Sequence, residues 1–308
     1  MNTLKHANMV AQTWPGARLK SARRLTGGVS AEVYALEVAD DLGNVTRLVL
    51  REHAPVHTSI SAELEYKLLK ALHGFGLPVP EPLLFDASCT LLANPFVMMR
   101  FIEGHSAIPS GDAFDYIDKM ASQLFKIHQV PVQGLPGLPE RVDPRPAVFD
   151  YLPEASEWIG LRASLRALSD TRFEGAPCLL HGDYWAQNLL WHRGQITGVL
   201  DWEDAAIGDP LADVAAASVE LRYLFGRPGQ ARFIAAYSAF RPVEAHRLAL
   251  WQVYVAASAH HFMSGWQLPP ADEANRRREG LASIREAERV LRASASIPRP
   301  SDPFIVLS

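Results

Sequence analysis

Three polar residues in one short segment are the most informative feature of the chain. Asp183, Asn188 and Asp201 lie between His181 and Pro210. Their side-chain oxygens are the ligands that a hard divalent cation such as Mg²⁺ prefers, and proteins commonly share Mg²⁺ with the phosphates of a substrate. An acid, an amide and a second acid in this order supply one proton acceptor and two metal ligands. The pattern therefore indicates phosphoryl-transfer chemistry.

A tight β-hairpin is predicted to bring these side chains together. Two short apolar runs, 188–191 and 198–200, are separated by the polar segment 192–195. Short apolar runs with such a connection are typical of two strands joined by a tight turn. The first two polar residues then lie on the loop that enters the first strand, and the third follows the second strand. We expect all three to converge at one end of the hairpin.

The same segment resembles a known family. The motif His-Gly-Asp-x4-Asn at 181–188, followed by an aspartate after a short strand, is similar to that of the aminoglycoside phosphotransferase and choline kinase family, a branch of the protein-kinase-like fold. Residues 201–204, 208–210 and Asp213 extend the resemblance. The resemblance implies an enzyme that uses ATP or GTP with Mg²⁺ to phosphorylate a hydroxyl group of a small molecule.

The resemblance also implies a role for each residue of the motif. Asp183 is expected to be the catalytic base that accepts the proton of the acceptor hydroxyl, and Asn188 and Asp201 are expected to hold Mg²⁺. His181 is expected to be structural, and Asp213 to brace the catalytic loop from the helix that follows.

A glycine turn in the N-terminal part is predicted to contact the nucleotide phosphates. Gly27, Gly28, Val29 and Ser30 lie between two predicted strands. Glycine lets the backbone approach a phosphate closely, and successive N–H groups can form an anion-binding concavity. By itself a glycine pair favours an ordinary hairpin turn. The resemblance further along the chain makes phosphate contact the preferred interpretation.

The third predicted strand, 45–51, places Val49 and Arg51 on one face because side chains alternate along a strand. The resemblance puts that face over the nucleotide, with Val49 against the base and Arg51 reaching the phosphates. It also implies that Glu65 of the next helix pairs with Arg51, and Glu63 is the alternative partner. The family usually has lysine where this chain has arginine, which offers phosphate a planar fork in place of a point charge. A surface arginine on an edge strand is the competing interpretation.

The segment 95–104 is similar to the hinge that connects the two lobes in the family. Backbone groups of Met99, Arg100, Phe101 and Ile102 are expected to bind the purine, and Leu190 to lie below its ring. Apolar surfaces on both sides of a flat base, with backbone polar groups at its edge, suit nucleotide binding. For each of these residues, ordinary core packing is an equally good interpretation.

Composition excludes several other classes of protein. The net charge of −4 and the absence of a basic stripe with interleaved aromatic residues argue against nucleic-acid binding. No run of about 18 uncharged apolar residues predicts a membrane span, and the first residues do not resemble a secretory signal. Cys89 and Cys178 are too few for a disulfide framework and are expected to be buried, reduced thiols of a cytoplasmic protein.

The order of the predicted elements indicates an α+β, bilobal protein. Strands and one helix, expected at 59–72 with Ser61 as its cap, dominate the first hundred residues, and helices dominate from about Ala113 onward. We therefore predict a nucleotide-binding N-terminal lobe, 1–101, and a helical catalytic and substrate-binding C-terminal lobe, 102–308. Further predicted elements are strands at 82–86 and 96–102, a loop at 131–146, a helix at 156–168, and three helices after Asp209-Pro210, which has the composition of a helix start.

The acceptor is less well defined by the sequence. Tyr184, Trp185 and Trp202 flank the catalytic residues and could stack on a substrate or belong to the core. The basic run 276–279 is expected to be a solvated helix face. The alternative to a small-molecule kinase is a nucleotide-binding regulatory protein of the same fold that has lost catalysis, and Arg51 is the feature that favours this alternative.

Overall fold

The structure is a computed structural model. It describes residues 2–25, 31–53, 60–108, 112–145, 147–152, 154–168 and 171–295.

An antiparallel five-stranded sheet forms the N-terminal lobe. Its strands follow the spatial order β1-β2-β3-β5-β4. The elements of this lobe are α1 (Asn2–Thr13), β1 (Arg18–Arg24), β2 (Ala31–Ala39), β3 (Val45–His53), α2 (Ala62–Gly74), β4 (Pro82–Asp86) and β5 (Phe96–Arg100). The predicted strands are confirmed, whereas α1 was not predicted.

The two faces of the sheet pack against different partners because side chains alternate along β3. Leu48 and Leu50 are buried in a cluster that includes Met9 and Val10 of α1. Val49 lies on the other face, which continues into the core shared with α2 and the C-terminal lobe. The nucleotide-facing side chains predicted on β3 are therefore on the face that points toward the rest of the molecule.

Helix α2 begins as predicted. The hydroxyl of Ser61 accepts a hydrogen bond from the N–H of Leu64 at 3.2 Å, which satisfies one of the first N–H groups of the helix. Gly74 is the last residue of the helix. The buried face of the helix carries Glu65 between apolar residues, which sets this carboxyl apart from the exposed Glu63.

Helices dominate the C-terminal lobe. They are α3 (Ala113–His128), α4 (Val148–Tyr151), α5 (Ile159–Ala167), α6 (Pro210–Ser238), α7 (Ala245–Phe262) and α8 (Pro270–Ala295). Three short 3₁₀ turns accompany them, at Ser156–Trp158, Ala186–Asn188 and Met263–Trp266. The long helix α6 has a non-helical residue, Gly226, with φ of 66°. The predicted three helices after Asp209 are confirmed.

Short strands complete the lobe. The hairpin of β8 (Leu189–His192) and β9 (Gln195–Val199) is confirmed, with Arg193 and Gly194 at its turn. A second small sheet has the order β6-β10-β7, built from β6 (Glu140–Arg141), β7 (Cys178–Leu180) and β10 (Ala206–Gly208). These strands were not predicted because two or three residues are too few to show a period of two.

Two expectations about individual side chains are wrong. Cys89 is exposed, and only Cys178 is buried. Arg276 is not a solvated residue, because it pairs with Glu220 at 2.8 Å and lies over the ring of Tyr223. Within the described ranges, none of the helices combines the length and the apolarity needed to cross a bilayer.

Candidate active site

Asp183 and Asn188 form the centre of the site. The amide Nδ2 of Asn188 donates to the Oδ2 of Asp183 at 3.0 Å and to the Asp183 carbonyl at 2.9 Å. The 3₁₀ turn Ala186–Asn188 makes this contact possible by folding the loop back just before β8. Both donated bonds use the nitrogen of the Asn188 amide, so its oxygen is directed elsewhere.

The loop that carries Asp183 is held from below by Asp213. This buried carboxylate, in the first turn of α6, accepts hydrogen bonds from the N–H of His181 at 2.7 Å and of Gly182 at 2.9 Å. Burial alone would raise the pKa of Asp213, but hydrogen bonds and the neighbouring His128 lower it, so the group stays ionised. The Nε2 of His181 contacts the Leu200 carbonyl at 2.8 Å. Both residues therefore have structural positions.

Asp209 starts α6 and anchors two further residues. Its side chain accepts from the N–H of Leu211 at 3.0 Å, as the predicted helix cap requires. The other oxygen receives the indole N–H of Trp251 at 2.6 Å and the guanidinium of Arg247. The position of α7 relative to the catalytic loop is set by these contacts.

Arg51 connects the two lobes. Its guanidinium lies 3.2 Å from Glu65, 2.9 Å from Asp201 and 2.5 Å from Glu203. The pairing with Glu65 is the one that the family resemblance implies, whereas Glu63 pairs with Lys67 on the helix surface. Burial raises the pKa of Glu65 to about 7, with Arg51 acting against this shift. The interpretation of Arg51 as a surface residue is wrong, since the residue is 9% exposed.

His53 is a member of this cluster that the sequence did not indicate. Its Nε2 lies 3.3 Å from a carboxylate oxygen of Glu65, without hydrogen-bond geometry. Burial and the nearby Arg51 lower the pKa of His53 to about 4, so the ring is neutral at pH 7. A histidine at the end of a predicted strand has no sequence signal that distinguishes it from any other.

The residues predicted to hold Mg²⁺ have suitable chemistry. Asn188 and Asp201 offer an amide oxygen and a carboxylate, and Glu203 adds a second carboxylate beside Asp201. Among the residues that the structure describes, no group of three or more His, Cys, Asp or Glu side chains could hold a metal by itself. Proteins commonly bind Mg²⁺ through one or two carboxylates, with water and substrate phosphates as further ligands.

The structure places the residues predicted to surround the nucleotide base in two contacts. Val49 of β3 is directly opposite Met99 of β5 in the sheet. The side chains of Leu190 and Ile102 both approach the α-carbon of Gly198 on β9. The contact at Gly198 joins Ile102 to the strands β8 and β9.

Two backbone N–H groups of the predicted hinge are already hydrogen-bonded to other parts of the N-terminal lobe. The N–H of Arg100 donates to the Glu81 carbonyl at 2.9 Å, and the N–H of Phe101 to the Arg47 carbonyl at 3.2 Å. A base bound here would have to use the carbonyls of these residues or the backbone of Ile102. The predicted phosphate turn, Gly27, Gly28, Val29 and Ser30, lies outside the described residues.

A cavity of about 480 Å³ opens in front of Asp183. Trp185 and Tyr184 both line it, although Tyr184 is fully buried and donates a hydrogen bond to the Met120 carbonyl. Trp202 is a fully buried core residue that donates to the Val199 carbonyl. Trp185 therefore lines the cavity, Trp202 belongs to the core, and Tyr184 is a core residue at the cavity wall. Trp185 also lines a neighbouring cavity of about 220 Å³.

Arg141 also lines this cavity, and the sequence did not indicate it as a site residue. Its guanidinium donates to the Gly182 carbonyl at 2.9 Å and to the Asp204 carbonyl at 3.3 Å. It therefore joins the loop of the predicted base to the loop of the predicted metal ligand. The segment was predicted as a plain loop because its prolines and glycines conceal the short strand β6.

The electrostatic environment suits a proton acceptor. Asp183 is open to the cavity, but the surrounding protein desolvates its carboxyl and raises its pKa to about 7, and Asp204, Asp201 and Glu220 add repulsion. The hydrogen bond from Asn188 acts in the opposite direction. A base with a pKa near the working pH combines a useful ionised fraction with a strong affinity for the proton.

Comparison with known proteins places these features in context. The model of the family described as "Phosphotransferase enzyme family" matches residues 21–251. An aminoglycoside 3'-phosphotransferase of Streptomyces fradiae is 28% identical, over 74% of this chain and 91% of that protein. The acyl-CoA dehydrogenase family member 10 of Mus musculus is 27% identical, over 61% of this chain and only 19% of its own length.

A solved structure shares the fold. It is a thermostable mutant of the aminoglycoside phosphotransferase APH(4)-Ia, in a ternary complex with AMP-PNP and hygromycin B. The TM-score is 0.62 at 16% identity, over 95% of this chain and 99% of that one. The predicted α+β, bilobal, protein-kinase-like fold is confirmed.

Proposed function

Because the chain belongs to the phosphotransferase enzyme family, we propose that it transfers the γ-phosphoryl group of ATP or GTP to a hydroxyl group of a small molecule. The observation that supports this most strongly is the pair of Asp183 and Asn188, 3.0 Å apart at the mouth of a cavity large enough for an acceptor. The related structure that contains AMP-PNP and hygromycin B supports a nucleotide and a hydroxylated acceptor as the two substrates.

Each residue of the site has a part in this proposal. The acceptor hydroxyl gives its proton to the Asp183 carboxylate as its oxygen attacks the γ-phosphorus, and the bond from that phosphorus to the nucleoside diphosphate breaks. Asn188 orients the carboxylate through its amide nitrogen. Its oxygen and the carboxylate of Asp201 would hold Mg²⁺. Bound Mg²⁺ supplies positive charge that neutralises the phosphate oxygens.

Arg51 has the position of a phosphate-binding residue. It is fixed by Glu65 and bridges to Asp201 and Glu203, at the boundary between the predicted nucleotide cleft and the metal ligands. A guanidinium can keep one N–H group on Glu65 while others turn to phosphate oxygens. Met99, Arg100, Phe101 and Ile102 would contact the base, with Val49 and Leu190 on its two sides.

The alternative of an inactive nucleotide-binding regulator has weaker support. Its only argument is the replacement of the usual lysine by Arg51, and Arg51 keeps the ion pair with the helix glutamate that the lysine would make. Asp183, Asn188 and Asp201 are all present, and the first two contact each other.

The proposal is tested by nucleotide turnover with Mg²⁺ and a panel of hydroxylated acceptors. We expect acceptor-stimulated formation of ADP or GDP together with a phosphorylated acceptor. Asp183→Asn should remove this turnover, while Asp115→Asn, a change of an exposed aspartate that pairs with Lys119 on α3, should not. Tight nucleotide binding without transfer to any acceptor would favour the regulator.

A further inference from the structure

The cavity in front of Asp183 has two chemically different walls. The wall near the catalytic loop carries charged groups, namely Arg141, Asp183 and Asp204. The wall formed by α7 and the 3₁₀ turn after it carries one hydroxyl residue, Ser258, and is otherwise built from aromatic and aliphatic side chains, which are Trp251, Tyr254, Val255, Ala259, Phe262 and Trp266. A ligand that fills such a cavity must be polar at one end and apolar at the other.

Two aromatic residues of the apolar wall are exposed. Phe262 is 49% exposed and Trp266 is 43% exposed, although both line the cavity. Single exposed apolar residues are common on protein surfaces and need no explanation. Two large ones that line the same cavity as Tyr254 offer apolar area, and a ligand that removes this area from water gains binding free energy.

The charged groups of the cavity lie away from its apolar wall. Of the lining residues that the structure describes on α7 and the turn, none is acidic. Glu220 of α6 already has a counter-ion, because both its oxygens contact the guanidinium of Arg276, at 2.8 and 3.1 Å. The remaining carboxylates, Asp183 and Asp204, lie at the reacting end, where Arg141 is also present.

We propose that the acceptor is an amphiphilic alcohol. This inference rests on the phosphotransferase function proposed above. The hydroxyl reaches Asp183 at the polar wall, and an uncharged apolar chain or ring packs along α7 against Tyr254, Phe262 and Trp266. The apolar wall thus selects the acceptor by its hydrocarbon part, and the polar wall supplies the chemistry.

Binding can be measured without turnover. We would titrate the protein with a series of straight-chain primary alcohols from propanol to octanol, following tryptophan fluorescence. Each added methylene should tighten binding by about threefold to fourfold until the apolar wall is covered. The matched probe is 6-aminohexan-1-ol, which should bind more weakly than hexan-1-ol. Affinity that does not depend on chain length, or an amino alcohol that binds more tightly, would overturn the inference.

Two variants locate the effect. Phe262→Ala and Trp266→Ala should each weaken the binding of octanol by about tenfold and change that of propanol little. Phe240→Ala is the control, since this phenylalanine is exposed to the same degree, at 47%, and lines neither cavity. An equal loss for propanol and octanol, or a loss in the control, would mean that the apolar wall does not select the acceptor.

The same alcohols, supplied with nucleotide and Mg²⁺, separate this inference from the proposed function. If the alcohols bind with the expected dependence on chain length, and neither they nor any other acceptor of the panel receives phosphate, the proposed function fails and the ligand class remains. If phosphate is transferred to kanamycin and to none of the alcohols, the function holds and the amphiphilic acceptor is wrong.

Discussion

Asp183 is the proposed catalytic base, and its environment leads to a prediction about pH. The carboxyl must be ionised to accept a proton, and its pKa is raised to about 7. We therefore expect the acidic limb of the kcat/KM profile to rise with pH and to level off above about pH 7. The measurement is the pH dependence of kcat/KM with a fixed acceptor.

The variant Asp204→Asn tests the cause of this shift. Desolvation is the largest contribution to the raised pKa, and Asp204 is the first of the carboxylates that add to it. Removing its charge should move the acidic limb of the profile to lower pH. A limb that stays in place would show that repulsion from Asp204 does not set the pKa.

Asp183 should lower the free energy of unfolding at neutral pH. The folded protein keeps the proton on Asp183 up to about pH 7, whereas an unfolded aspartate loses it near its ordinary pKa of 3.8. Stability therefore falls as pH rises through this window, because the native state binds more protons. Asp183→Asn should raise the Tm at pH 8 and have no such effect at pH 3. A lower Tm for the variant at pH 8 would contradict this account.

Arg51 is the other residue with a specific prediction. It neutralises Glu65, which is almost completely buried. Arg51→Met should destabilise the protein by about 3–5 kcal/mol, because it leaves a buried carboxyl without its partner. Arg51→Lys should be milder, since an ammonium can pair with Glu65 but cannot span Asp201 and Glu203 as well. Urea unfolding compares the two variants, and equal losses would be the contrary result.

At the scale of elements, the loop before β8 has a tight backbone contact. Gly182 has φ of +87°, and a β-carbon at this position would overlap the carbonyl of Asp204. Gly182→Ala should therefore displace the loops of Asp183 and Asp204 and remove most activity. Gly194→Ala in the hairpin turn is the matched control. Its φ is +74° with open space around it, so the cost should be about 1–2 kcal/mol of backbone strain and no loss of activity.

For the whole molecule, the important feature is that residues of the proposed nucleotide and metal site come from both lobes. Arg51 comes from β3 and Asp201 from the loop after β9, and their side chains are 2.9 Å apart. Nucleotide that binds the folded protein should raise the Tm, and Mg²⁺ should increase this protection. Asp201→Ala should abolish the Mg²⁺-dependent part. Undiminished protection in the variant, measured by thermal shift, would remove Asp201 from the predicted metal site.

Much of the architecture was accessible from the sequence for local reasons. The strands, the helix after Ser61 and the hairpin after Asn188 follow from periodicity and capping, which act between near neighbours. The composite motif from His181 to Asp213 was long enough to indicate the family. The short strands β6, β7 and β10 were missed because they exist only through pairing with one another.

The sequence by itself determined most of the elements and the family, and it supplied the candidates for the reacting groups, since these depend on residue types and spacings along the chain. Only the tertiary structure decided the surroundings of those groups. It brought Arg51 to Asp201 across the cleft and Arg141 beneath Gly182, and it assigned Trp185 to the cavity while Trp202 went to the core. The physical reason is that burial, desolvation and long-range ion pairs arise between segments that meet only after folding.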